Sequence, residues 1–186
     1  MIHTLIDQCK LGPGDIFIDL GAHNGEEIGA LVELGVTVHS FEPHPIFWEG
    51  LVDEWGDNDL VHLNNKAAWI ADCKKQLYFK HSPESPNGGA SLIREKGNIN
   101  PNLYTEVDCI DIAEYMYDLE SHISVLKIDV EGAEYILLNH IVPILGCIGT
   151  IYCEDHSRKI PDPSWNIYKD YVLDRYSKMG REIRNW

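Results

Sequence analysis

The segment Asp19-Leu20-Gly21-Ala22-His23-Asn24-Gly25 narrows the possible folds more than any other part of the chain. It follows the apolar run Ile16-Phe17-Ile18 and precedes a stretch in which Ile28, Leu31 and Val32 recur at helical spacing. An acid at a strand tip, a glycine-bracketed turn and then a helix is how α/β sheets build a nucleoside pocket. Gly21 lets backbone pass close to a ligand, and Gly25 permits tight packing where the helix opens. The helix start adds unpaired N–H groups and positive potential. Further on, Glu42 ends a second apolar run, where a carboxylate can grip the two hydroxyls of a ribose.

The rest of the chain alternates strand and helix, which predicts a doubly wound, mostly parallel sheet with helices on both faces. Expected strands are Ile16–Leu20, 36–42, 60–63, 125–130 and Ile148–Cys153. Expected helices cover 2–9, 25–34, 46–55, 133–141 and 165–176, the last capped by Ser164, with Gly35 ending the second. Segments 76–80 and 104–109 alternate in polarity and are expected to pair as a hairpin. Asp111 and Glu114 read as a capping box opening a short helix. The long segment 82–102, rich in Pro, Gly, Asn and Ser, is of a length that usually carries function or is disordered. The 186 residues are expected to form a single domain over 1–186.

A net charge of −15 repels phosphate backbones and anionic lipid, so neither nucleic acid nor a membrane surface is an expected partner. No apolar run approaches the roughly 20 residues that span a bilayer. The N-terminus lacks the basic start and long apolar core of a signal peptide, so a cytoplasmic location is expected. Five cysteines with no Cys-x-x-Cys pair read as free thiols, three of them (Cys109, Cys147, Cys153) inside apolar runs.

Chemistry concentrates at the strand ends. His23 stands where a dinucleotide fingerprint places its second glycine, and Asp19 sits where a pyrophosphate would approach. That argues against a nicotinamide-dependent oxidoreductase. An acid at Asp19 suits a ligand with an ammonium group, such as the methionine portion of S-adenosylmethionine. Asn65 and Ala67, beyond the third strand, would border the base. Asp129 ends a strongly apolar run, and Lys127 within that run is expected to pair with a nearby acid. Glu154-Asp155-His156 end the next strand and reach the same edge. A histidine there suits removal of a hydroxyl proton. Alternatively, Asp129, Glu154 and Asp155 could hold a hard divalent cation such as magnesium through oxygens.

Asp19-x-Gly21-Ala22-x-x-Gly25, Phe41-Glu42-Pro43, Asn65-x-Ala67 and above all Leu126-Lys127-Ile128-Asp129-Val130-Glu131-Gly132-Ala133-Glu134 resemble FkbM-type S-adenosylmethionine-dependent methyltransferases. Asn87-Gly88-Gly89-Ala90-Ser91-Leu92 is similar to that family's small-residue loop. The resemblance implies a class I methyltransferase fold and O-methylation of a hydroxyl on a sugar, glycan or small natural product. It also implies S-adenosyl-L-methionine held by Asp19, Gly21, Ala22, His23, Asn24, Gly25, Glu42, Asn65 and Ala67. His156 is then the first candidate for the base and Asp155 the second, with Asp129 bordering the reacting centre. Arg94 and Lys96 are candidates to meet an acidic group on the acceptor. Such folds close with an antiparallel hairpin, of which 181–186 can supply one strand, so a truncated hairpin is expected. A non-catalytic module that keeps the nucleoside pocket is the remaining alternative; it predicts loss of the strand-tip acids, which are present.

Overall fold

The computed structural model describes residues 2–84 and 88–186; Asn87 of the small-residue loop lies outside them. Helix α1 (Ile2–Cys9) leads into strand β1 (Ile16–Leu20), helix α2 (Ile28–Val32), strand β2 (Thr37–Phe41), helix α3 (Pro45–Trp55) and strand β3 (Val61–Asn64). Three strands follow, β4 (Ala67–Trp69), β5 (Cys73–Tyr78) and β6 (Tyr104–Asp111), then helix α4 (Ile112–Asp118). The chain returns through β7 (Ile123–Ile128), α5 (Glu134–His140), β8 (Ile148–Cys153), α6 (Pro163–Lys178) and β9 (Ile183–Asn185).

Six strands form one parallel sheet in the order β3-β2-β1-β7-β8-β9. The order reverses between β1 and β7: one half of the chain winds outward from β1, the other from β7. At such a switch point the loops leave in opposite directions and open a crevice at the carboxyl ends of the strands. Both sheet faces are covered, as alternation along the strands requires. Phe17, Val38 and Val125 pack on one side with Leu31 and Leu51. Ile18, Leu126 and Ile151 pack on the other with Met116, Leu137 and Val172. The smaller sheet, β4-β6-β5, joins β5 and β6 antiparallel as the sequence predicts, and adds β4 parallel to β6.

Several expectations need correction. Helix α2 covers Ile28–Val32 rather than 25–34, because Gly25 (φ +73°) turns the chain first. β2 stops at Phe41, so Glu42 stands just past its tip, and β7 begins two residues earlier than expected, at Ile123. The last helix starts at Pro163 and is capped by Asp162, whose side chain accepts from Ser164 N; Ser164 itself is inside the helix. Proline favours the first helical position, which moves the cap one residue before it. Asp111 caps α4 through the N–H groups of Ala113 and Glu114, but its own N–H donates to Asp72 (3.0 Å), so Asp72 takes the place of the reciprocal Glu114 bond. The closing strand β9 is present and runs parallel to β8, so the expected hairpin has no antiparallel arm among the described residues.

Candidate active site

The β1 turn is built on backbone. Gly21 N and Ala22 N both donate to Phe41 O (3.0 and 3.1 Å), which ties the turn to the tip of β2. Gly21 has φ +86°, and a Cβ there would overlap the carbonyl oxygen of Asp129, so only glycine fits between the β1 and β7 tips. His23 takes the left-handed conformation (φ 52°) that glycine would take without strain in a dinucleotide fingerprint. Its N–H donates to Glu42 Oε2 (2.8 Å), while His44 N donates to Oε1 (2.7 Å). Two N–H groups therefore aim the Glu42 carboxyl, yet burial still pushes its pKa up to about 7.

These groups border a cavity at the carboxyl edge with about 900 Å³ of empty space, open mouth included. Gly21, His23, Glu42, Ala67 and Asp129, all singled out from the sequence, line it. So do Gly88, Gly89 and Glu131, which the sequence placed in motifs without a site role, and Phe47, Ala68 and Leu77, which it did not single out. Other predicted residues stand apart from its walls. Ala22 and Gly25 are buried beneath the turn, Asn24 faces solvent beside Glu26, and Asn65 is exposed. Asp19 is fully buried: β1 and β7 register Asp19 against Lys127, and Lys127 Nζ donates to Asp19 Oδ1 (2.8 Å) and Gly21 O (3.1 Å). Burial opposes the charge on Lys127, but Asp19, Glu27 and Asp129 together outweigh it and hold the ammonium above its ordinary pKa. The pairing read from the sequence is present, and it occupies one oxygen of Asp19.

Another wall residue outside the sequence reading is His44, which caps α3. Its Nδ1 accepts from Ile46 N (3.3 Å), and burial lowers its pKa, so the neutral ring carries its proton on Nε2. That buried N–H has no partner among the described residues. The signal was there in the Glu42-Pro43-His44-Pro45 stretch, since a cap immediately before a proline sits where the chain leaves the strand tip.

The acids beyond β7 and β8 form a paired network. His156 Nδ1 bonds Glu134 Oε1 (2.9 Å), and its Nε2 lies 3.4 Å from Glu131 and 3.3 Å from Glu154. Burial opposes charge on His156, but these carboxylates outweigh it and raise its pKa. His156 is not on the cavity wall. Asp155 accepts from Ser157 N (3.0 Å) and pairs with Lys169; despite partial burial these bonds hold it down at about 2. Lys96, buried, pairs with Glu131 and donates to Gly89 O (3.0 Å), while Arg94 is exposed. Ser91 Oγ donates to Glu131 O (2.7 Å), so residues 89–96 are fastened over the β7 turn. Asp129 lies on the cavity wall. Burial lifts it to about 6, although Lys127 lies 4.0 Å away. Asp129, Glu154 and His156 place one ligand atom each within 4.8 Å of one another, a set able to hold a divalent cation. Asp155, expected in that set, is turned to Lys169 instead.

The profile of the Methyltransferase FkbM domain matches residues 19–174. The chain belongs to the FkbM methyltransferase family. No curated protein and no solved structure matched it. In an FkbM methyltransferase the usual methyl donor is S-adenosylmethionine and the acceptor a small molecule. The FkbM match begins at Asp19 and runs into α6, so it takes in every cavity residue named above. No described helix is long and apolar enough to cross a membrane.

Proposed function

We propose that this methyltransferase uses S-adenosylmethionine to methylate a hydroxyl oxygen of a sugar, glycan or small natural product. The observation that carries the reading is the cavity at the β1/β7 switch point, with a buried, backbone-aimed carboxyl, Glu42, at the neighbouring strand tip. The residues present suit the donor. Glu42 suits two ribose hydroxyls, and Gly21 leaves room for a chain to pass. Asp19 acts on the amino-acid portion through the turn it braces with Lys127.

When bound, S-adenosylmethionine supplies a methyl group that is already activated. The protein's part is then to position the acceptor and take up its proton. Asp129 suits the role of proton acceptor, because it faces the cavity and a carboxyl near 6 is ionised at neutral pH yet basic enough to accept a proton. His156, shared among three carboxylates, suits the role of a positioning residue that holds Glu131 and Glu154 beside Asp129. A divalent cation held by Asp129, Glu154 and His156 would have to replace the present His156–Glu154 contact. Lys96 is taken up by Glu131, which leaves Arg94 as the cation able to meet an acidic acceptor.

Calorimetry with S-adenosylhomocysteine tests the reading. Micromolar binding that is lost in Glu42→Ala is the expected result. Tight binding of a nicotinamide dinucleotide in its place overturns it. Transfer of labelled methyl to acceptors should fall in Asp129→Asn with little change in donor affinity.

A further inference from the structure

We propose that Cys73 and Cys109 form a reversible dithiol site that a low-molecular-weight disulfide closes into an intramolecular cross-link. The two residues are register partners in the antiparallel β5–β6 pair, so their side chains leave the same face of the small sheet. Directly opposed residues in such a pair lie about 4.5–5.5 Å apart at Cα, inside the roughly 4.4–6.8 Å that a disulfide spans. Their thiols already interact: burial first, and the Cys73 thiol second, push Cys109 up to about 12. Cys73 is exposed and Cys109 is buried against Leu77 and Val107. Cys9, Cys147 and Cys153 are less exposed than Cys73, and no other cysteine has a cysteine as strand partner among the described residues.

The asymmetry sets the order of events. The exposed Cys73 thiolate attacks one sulfur of the small disulfide; that S–S bond breaks, a mixed disulfide forms and one small thiolate leaves. The Cys109 thiolate then attacks the Cys73 sulfur, forming the Cys73–Cys109 bond and expelling the second small thiolate. The two protons given up by the cysteines end on the two released thiolates. The cysteine pair is oxidised and the small disulfide is reduced to two thiols. Lys75, one alternation along the same face, offsets part of the rise in the Cys109 thiol.

The position gives the cross-link a consequence. The ring it closes contains Gly88 and Gly89 of the cavity roof, and Leu77 of the cavity wall. Cys109 is also the β6 partner of Ala67, on the same wall. Oxidation therefore fastens both anchors of the roof to each other and narrows the unfolded ensemble. None of these steps depends on which ligand the cavity takes.

The test uses the intact protein with oxidised glutathione, followed by non-reducing peptide mapping and thermal unfolding. The expected product has lost two hydrogens, joins the peptides of Cys73 and Cys109, melts higher than the reduced form and reverts with dithiothreitol. Cys73→Ser, at an exposed position, should keep the reduced protein's melting temperature and form no cross-link. Glutathione retained on Cys73 with Cys109 reduced at equilibrium would overturn the proposal. So would a cross-link between any other pair, or no oxidation product in folded wild-type protein.

Discussion

Lys127 shows how one side chain can hold two parts of a site together. Its ammonium is the counter-ion of a fully buried carboxylate and also a clasp on the β1 turn. Removing it in Lys127→Met leaves the buried Asp19 without its partner, and the expected loss of unfolding free energy is about 3–5 kcal/mol by urea denaturation. Adding Asp19→Asn to that variant should recover part of the loss; if the double variant is no more stable, the pair is not what supports the turn. Gly21 is constrained differently. Gly21→Ala meets the Asp129 carbonyl in a left-handed conformation and should cost on the order of 3 kcal/mol, with weaker S-adenosylhomocysteine binding. Glu42 gives the pH dependence. Its folded pKa, about 7, lies above its ordinary value of 4.5, so the folded state binds its proton more readily. Its contribution to stability is thus complete below the unfolded pKa and is lost as pH rises through 7. On the proposed function ligand binding runs the other way, because ribose hydroxyls would donate to the ionised form. S-adenosylhomocysteine affinity should rise between about pH 6 and about pH 8, and Glu42→Gln should flatten that profile in calorimetry.

Helix ends and strand register account for where the local reading of the sequence succeeded and where it slipped. Asp111 was legible as a cap because Asp followed by an apolar helical stretch has few other uses. Asp111→Ala should cost about 1 kcal/mol in thermal unfolding. It also loses the bond to His140 (2.7 Å), which helps hold Asp111 below its usual range; that stabilisation is present above the unfolded pKa and fades as pH falls through the lowered one. The final helix misled because Ser164 and Asp162 are both good caps, and the choice lies with Pro163. Asp162→Ala should lower the melting temperature, while Ser164→Ala should leave it nearly unchanged. Strand ends shifted by one to three residues, since where a strand stops depends on its neighbours. Glu42 lies past the tip of β2 because Phe41 O is taken by the turn of β1, a bond between segments far apart in the chain.

For the molecule as a whole, charge and connectivity act at different ranges. A net charge of −15 on 186 residues sets up self-repulsion, which salt screens. Melting temperature should therefore rise as ionic strength goes from about 0.01 M to about 0.15 M, where the Debye length shortens from roughly 30 Å to roughly 8 Å. A flat response would mean that the paired networks at Asp19, Glu131, Glu134 and Asp155 absorb most of the repulsion. Connectivity places the cavity. The sheet reverses between β1 and β7, and the smaller sheet with residues 88–92 covers the opening that results.

The layered α/β build, the two tips that carry Glu42 and Asp129, and the Lys127 pairing were legible in the linear pattern. Each rests on local periodicity, or on an apolar strand ending in an acid, and neighbouring residues along the chain are enough to impose both. The division of labour among the acids was not legible. Asp129, Glu154, Asp155 and His156 look equivalent as strand-end polar groups, yet Lys169 draws off Asp155, three carboxylates surround His156, and Asp129 alone of the four faces the cavity. Lys96 likewise reads as a loop cation and is instead a buried partner of Glu131. A charged group's role depends on which opposite charge lies within a few ångströms and how little water reaches it. Both follow from how distant segments pack together, and spacing along the chain holds no record of that.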